Sequence, residues 1–245
     1  MHTTPLGCVA ALWRYPVKSL RGEACTSLRF EARGVVGDRL FAVRNPEGKF
    51  GSGKSTRRFR QMDGLLDFSA HYVEDDQGAA LPELRFPDGQ LLRGDSPALD
   101  GALSEALGQP VTLAREADVS HLDAGPVHLL STASLQWLGE ALPGVDVDAR
   151  RFRPNLLIQC EPGVPAAPVE LAWMGRTLRL GNAVRLRISA ATERCGMVTL
   201  AQGELAREAG VLRHIAQAAD MKFGVYAQVL VPGLVRAGDP VSLEP

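Results

Sequence analysis

"VRLRISA", residues 184–190, decides the architecture. Val184, Leu186 and Ile188 alternate with Arg185, Arg187 and Ser189, so one face is apolar and the other polar at the two-residue period of a half-buried strand. Short strand-like runs recur before it, in "CVAALWRY" (Cys8 to Tyr15), "ACTSLRFE" (Ala24 to Glu31), "RLFAVR", "LDFSAHYV" (Leu66 to Val73), "ELRF" and "PVTLAR" (Pro110 to Arg115). They recur around and after it in "NLLIQ" (Asn155 to Gln159), "TLRLG" and "GVYAQVLV" (Gly224 to Val231). Punctuated by 25 Gly and 16 Pro, these runs predict a mainly β (α+β) chain of barrel-like build. Helical periodicity is confined to residues 96–108, 131–142 and 203–219, which reads as a few peripheral helices. Residues 116–120 are the expected seam, since a mostly β half precedes them and a helix-bearing half follows.

The 245 residues can bury a full core unaided. Lys+Arg 27 against Asp+Glu 28 leaves no charge excess to call for nucleic acid or an anionic membrane. Any anionic ligand has to be met locally. No run approaches the roughly 20 apolar residues of a membrane span, and a strand-like segment follows Met1 almost at once, so the expected location is cytoplasmic, with no membrane partner. Cys8, Cys25, Cys160 and Cys195 form no C-x-x-C pair, which disfavours a zinc knuckle, an iron–sulfur cluster and a disulfide framework. The first three sit in strand-like runs, where a small buried apolar residue is the ordinary reading.

"GKFGSGKS", residues 48–55, fits the phosphate-cradling G-x-x-x-x-G-K-[ST] pattern. That loop needs a buried strand running into the glycines and a helix opening at the lysine. Here "RNPEG" (Arg44 to Gly48) is turn chemistry that reverses the chain first, and Arg57, Arg58 and Arg60 occupy what would be the helix's opening turns. The motif is expected on the return arm of a hairpin, as a basic loop.

Four stretches place polar groups at strand ends. In "YPVKS" (Tyr15 to Ser19), Pro16 ends a strand and leaves Lys18 and Ser19 on a turn; taken alone, Lys18 reads as a surface lysine. In "GDRLF", Arg39 enters a strand after a Gly-Asp turn, the usual place of a solvated edge residue. "RRFRPN" crowds Arg151, Arg153 and Asn155 before an apolar run, a set suited to an anionic ligand rich in hydrogen-bonding edges, or to a charged strand entry. "ERCGMVT" puts Cys195 between Arg194 and Gly196 at a strand end, where the thiol is either a small core residue or a reachable group beside a cation. One thiolate without a histidine partner makes no metal site unless a cofactor brings further ligands.

The order "YPVKS", "DRLF", "RRFRPN", "RC" and "FGVYAQVLVPGLVRAGDPV" resembles the MOSC family across essentially the whole chain, and within it the two-domain group that includes the mitochondrial amidoxime reducing component and its bacterial relatives. The resemblance implies a MOSC-type β-barrel at residues 117–245 and an N-terminal MOSC-associated β domain at 1–116. It implies a molybdenum cofactor (molybdopterin, Mo), with Cys195 as the one protein ligand of the metal and the catalytic cysteine. Lys18, Ser19, Arg39, Arg153, Asn155, Arg194 and Tyr226 match or adjoin positions that line the pterin and its phosphate, and Asp123, in "DAGPVHLLSTASL", matches an acidic position.

The implied function is a molybdenum-dependent oxidoreductase that reduces N-hydroxylated compounds with electrons from an external electron-transfer protein. The alternative is a molybdenum cofactor or sulfur carrier that uses Cys195 without turnover, and the bland reading is an interaction module. Pyridoxal phosphate is not expected. Glu193 departs from the small hydroxyl residue of many relatives, and a carboxylate there would repel an oxo-anionic centre unless protonated or paired with arginine.

Overall fold

The computed structural model describes residues 3–74 and 80–245. The alternating runs become strands, and seven of them close a barrel: Thr4–Arg14, Val127–Ser131, Leu156–Cys160, Thr177–Leu180, Val184–Glu193, Lys222–Val231 and Pro240–Leu243. Closure is made by Thr4–Arg14, which pairs with Pro240–Leu243 at one end and with Leu156–Cys160 further along, its register shifting between Pro5 and Gly7 and again between Val9 and Ala11. Such bulges bend a strand enough to let it serve two neighbours. Gly7 is required at that bend, because a Cβ there would lie 1.8 Å from the Gln159 carbonyl oxygen.

Neighbouring barrel strands run antiparallel except Val127–Ser131 and Leu156–Cys160, which are parallel and joined through the helix Thr132–Ala141. Ser131 starts that helix by accepting the Ser134 N–H. Inside the barrel, Val184, Leu186 and Ile188 meet Val225, Ala227, Leu129 and Ile158, all at most 1% exposed. Truncating any of these larger side chains to alanine would cost about 2–5 kcal/mol.

A second apolar cluster joins Val17, Phe41, Met62, Phe68, Leu84 and Leu103 in the N-terminal half, beneath the helix Leu99–Ala106 and two small sheets. A third packs Leu138 and Ile215, from the helices Thr132–Ala141 and Ala209–Ala219, on Leu130, Phe152 and Phe223. Among the described residues no helix is long and apolar enough to cross a membrane.

Three local expectations are corrected. "ACTSLRFE" is two strands, Glu23–Cys25 on the barrel and Ser27–Glu31 in a separate three-stranded sheet, because the chain changes sheets there. The last helix begins at Ala209, not near Gly203: Gln202 and Leu205 pair backbone to backbone in a tight turn, and Glu208 caps the helix by accepting the Gly210 N–H. Cys8, Cys25 and Cys160 are half-buried rather than sealed in the core.

"GKFGSGKS" forms the hairpin its flanks imply. Phe41–Arg44 turns through Asn45–Lys49 into Phe50–Ser52, and no helix follows. That geometry excludes a phosphate-cradling loop of the nucleotide-hydrolase kind.

Candidate functional site

The first strand delivers its end to the site through Asp38. This carboxylate is fully buried; it accepts the Tyr15 N–H at 2.8 Å on Oδ1 and pairs with the Arg39 guanidinium on Oδ2. Arg39 has φ 51°, and its own N–H donates to the Tyr15 carbonyl at 2.6 Å, which delays the following strand to Phe41. The Tyr15 ring then carries two cations, with Arg39 Cζ 4.9 Å and Arg153 Cζ 4.3 Å from its centroid.

Val17 and Lys18 pair in parallel with Phe41 and Ala42, which draws Lys18 inside, 3% exposed. This overturns the surface reading of Lys18 taken alone, and Arg39, at 5%, is likewise no solvated edge residue. Lys18 Nζ donates to the His121 carbonyl at 2.8 Å and to Asp123 Oδ1, while Arg39 Nε lies 3.5 Å from Asp123 Oδ2. Burial would raise the Asp123 carboxyl, but Lys18 and Arg39 outweigh it and hold it well below the usual carboxylate range. Burial pulls the Lys18 ammonium below its ordinary value against the opposing pull of Asp123.

From the other side comes "RRFRPN". Asp148 caps the 3₁₀ turn Ala149–Phe152, and Arg153 follows with φ 54°, its guanidinium reaching the Leu20 carbonyl. Burial, then Arg39, bring Arg153 down to about 10. Ser19 also has positive φ, 67°, so three non-glycine residues in this disfavoured region face one another here. Backbone strain of about 1–3 kcal/mol apiece persists only where surrounding structure enforces it, which is commonest at functional sites.

The long strand Val184–Glu193 supplies the thiol. Its alternation carries on past its end, with Thr192 buried, Glu193 exposed, Arg194 buried, and Cys195 half-buried at the head of the turn Gly196–Thr199. Arg194 donates to the Phe223 carbonyl at 2.8 Å, to the Phe152 carbonyl at 3.3 Å and to His128 Nε2 at 2.9 Å. Burial lowers it to about 10.

These elements surround a cavity of about 570 Å³. Its walls include Lys18, Ser19, Arg39, Asp123, Arg153, Arg194, Cys195 and Tyr226, so the structure brings together all the sequence-derived candidates but one. Asn155 does not line it. Its amide is spent behind the wall, where Oδ1 accepts the His128 N–H at 3.1 Å and Nδ2 donates to the Trp13 carbonyl at 3.2 Å.

The cavity is also lined by Arg151, which the sequence grouped with Arg153 and Asn155, and by Lys54 and Arg58 of the basic loop; Ser52, Phe59, His128 and Met197 line it without having been singled out. Gly53 explains the hairpin's approach, since its N–H lies 3.2 Å from Met197 Sδ and a Cβ there would crowd both Met197 and Leu200. The glycine-rich "FGSG" was the signal for that close contact.

Seven lysines and arginines line the cavity against two carboxylates, Asp123 and Glu193. Arg151 is 2% exposed and anchored on the Asp146 and Ala206 carbonyls, yet its Nη1 has no partner among the described residues; nor has Arg153 Nη2. A buried donor left unpaired is costly, so this wall suits an anionic ligand. Among the described residues no three His, Cys, Asp or Glu side chains are placed to hold a metal ion. A metal at Cys195 would therefore bring most of its own ligands.

The model of the MOSC domain matches residues 116–242, and that of the MOSC N-terminal beta barrel domain matches residues 6–76. The mitochondrial amidoxime-reducing component 1 of Mus musculus is 28% identical over 289 aligned positions, which span 97% of this chain and 82% of that protein. Among solved structures, the YuaD protein of Bacillus subtilis aligns over 99% of this chain and 96% of its own, at 12% identity and a TM-score of 0.49. YiiM of Geobacillus stearothermophilus aligns over 64% and 68%, at 16% identity and a TM-score of 0.36.

Proposed function

The chain belongs to the MOSC domain family, and on that premise we propose that it is a molybdenum-cofactor-dependent oxidoreductase that reduces N-hydroxylated compounds. The observation that carries this reading is the presence of one half-buried thiol, Cys195, on the wall of a cavity whose other walls are rich in buried cations and include unpaired guanidinium nitrogens. Those residues fit a pterin cofactor with a phosphate tail. The thiol needs a metal that arrives with its own sulfur ligands, and the guanidinium groups need an anion.

Cys195 would hold the metal. Lys18, Arg39 and Arg153 would take the phosphate, as charge-assisted donors already fixed by Asp38, Asp123 and the Leu20 carbonyl. Ser19, Asp123 and Tyr226 would meet the edges of the pterin. Asn155 would act from behind, by holding the His128 strand against Trp13. When bound, the cofactor supplies the two-electron redox chemistry. An N-hydroxylated substrate then takes up two electrons and two protons and releases its oxygen as water, the electrons coming from an external electron-transfer protein.

In the same reading residues 1–116 and 117–245 are the two units of the chain, and its setting is cytoplasmic. Glu193 belongs to the mouth of the site, where its exposed carboxylate is free to remain hydrated. The test is the chain produced in a host that makes the cofactor, assayed for molybdenum and for reduction of an N-hydroxylated substrate by a chemical donor. Metal together with turnover supports the reading; metal without turnover would leave a carrier.

A further inference from the structure

A second cavity, of about 210 Å³, lies on the far side of Tyr15 and shares no lining residue with the first. Its apolar walls are Trp13, Tyr15 and Leu205, and its polar groups come from Arg21, Ser69 and Gln202. Two glycines make the space. At Gly22 a Cβ would stand 2.3 Å from the Arg14 carbonyl oxygen and 2.6 Å from the Tyr15 ring, and at Gly203, with φ 56°, it would stand 2.6 Å from Arg21 Nη1. The turn that delays the last helix is thus the turn that seats Gln202 and Leu205 over Arg21.

One polar group of this cavity is left without a partner among the described residues. Gln202 is 5% exposed, and it lines the cavity beside Arg21. Arg21 Nε is buried without a partner, and Arg21 Nη2 rests on a neutral acceptor, the Asp67 carbonyl, at 2.8 Å. Arg150 also lines the cavity, but Asp148 and Glu204 take its charge. Arg21 makes no ion pair with a carboxylate among the described residues and feels Glu204 only through space, and it lies beside an amide able both to donate and to accept.

We propose that this cavity is a binding site for a small, planar, aromatic or otherwise unsaturated monocarboxylate. The carboxylate would be met by Arg21 and Gln202, with the flat body between Trp13, Tyr15 and Leu205. A volume below the roughly 300–1,000 Å³ of drug-sized sites limits the ligand to about the size of a benzoate. Nothing in this assignment depends on the cofactor reading of the larger cavity.

Benzoate is the probe, titrated into the full-length chain and followed by tryptophan fluorescence and calorimetry, with benzamide and benzylamine as neutral and cationic analogues of the same shape. Saturable one-to-one binding of benzoate is expected, at least tenfold tighter than either analogue. Arg21→Met and Gln202→Leu should each weaken it at least tenfold with the circular dichroism spectrum retained, and Lys18→Met, in the larger cavity, should leave it unchanged. Equal binding of the three analogues, binding that survives both Arg21→Met and Gln202→Leu, or binding lost with Lys18→Met would overturn the proposal. So would the absence of saturation by benzoate.

Discussion

Arg194 Nη2 lies 2.9 Å from His128 Nε2. A guanidinium carries only donors, so the imidazole has to accept there and hold its proton on Nδ1. Burial, and then the Arg194 charge, push His128 well below its ordinary value. Nitrogen-15 spectra at pH 7 should therefore show His128 Nε2 unprotonated, and acidification to pH 5.5 should leave it so. His121 is also buried, and burial with Arg44 beside it brings it down to about 4. Both folded values lie below the unfolded one, so the stability these groups confer is complete above about pH 6.5 and lost as pH falls. Unfolding free energy should decline from pH 6.5 toward 4 with a slope of at most about 1.4 kcal/mol per pH unit for each histidine, and His121→Asn should flatten it.

Gly224 packs on the same imidazole. It has φ 83°, and a Cβ there would stand 2.5 Å from His128 Nε2 and 2.9 Å from the Leu129 carbonyl oxygen. Gly224→Ala combines overpacking with a left-handed backbone that alanine disfavours, so a loss of at least about 2 kcal/mol in urea unfolding is expected. A loss under about 0.5 kcal/mol would contradict the close packing.

Asp38→Ala removes the buried partner of Arg39 and the acceptor of the Tyr15 N–H. A broken buried ion pair costs about 3–5 kcal/mol, and chemical denaturation should show a loss of that order. Arg39 would keep its 3.5 Å approach to Asp123 and its bond to the Arg153 carbonyl at 3.3 Å, without the closer carboxylate.

Glu170 titrates in the opposite sense. It is fully buried, its carboxylate accepts from the hydroxyls of Ser131 at 2.6 Å and Ser134 at 2.7 Å and from backbone, and burial raises it above its ordinary value despite those bonds. A raised carboxyl confers stability that is complete below the unfolded pKa of about 4.3 and lost as pH rises. Glu170→Gln should thus gain on the wild type as pH goes from 4 to 8, read as a widening difference in Tm. A constant difference would mean that folding leaves the carboxyl's pKa unshifted.

Strands and helices were legible because alternation and helical periodicity are local properties of the chain. Which strand pairs with which was not, and neither was the change of sheet between Cys25 and Ser27, since period-two patterning does not specify a neighbour. At the site, the polar strand ends marked Lys18, Arg39, Arg153 and Arg194 as anomalies, but their burial follows from partners such as Asp38, Asp123 and the Phe223 carbonyl, some of them far away in sequence. Asn155 looked like a ligand group because an amide before a strand suits both roles; the structure spends it on backbone. His128 gave no signal, as one histidine within an apolar strand reads as core until its neighbour proves to be an arginine.

The central claim is that Cys195 is the one protein ligand of a molybdenum cofactor seated among Lys18, Arg39 and Arg153. Molybdenum and pterin content, measured side by side in wild type and Cys195→Ala from a cofactor-producing host, tests it most directly. The account predicts near-stoichiometric metal and pterin in the wild type, and metal reduced at least tenfold in the variant at unchanged fold. Equal metal in both proteins, or none in either, would contradict it.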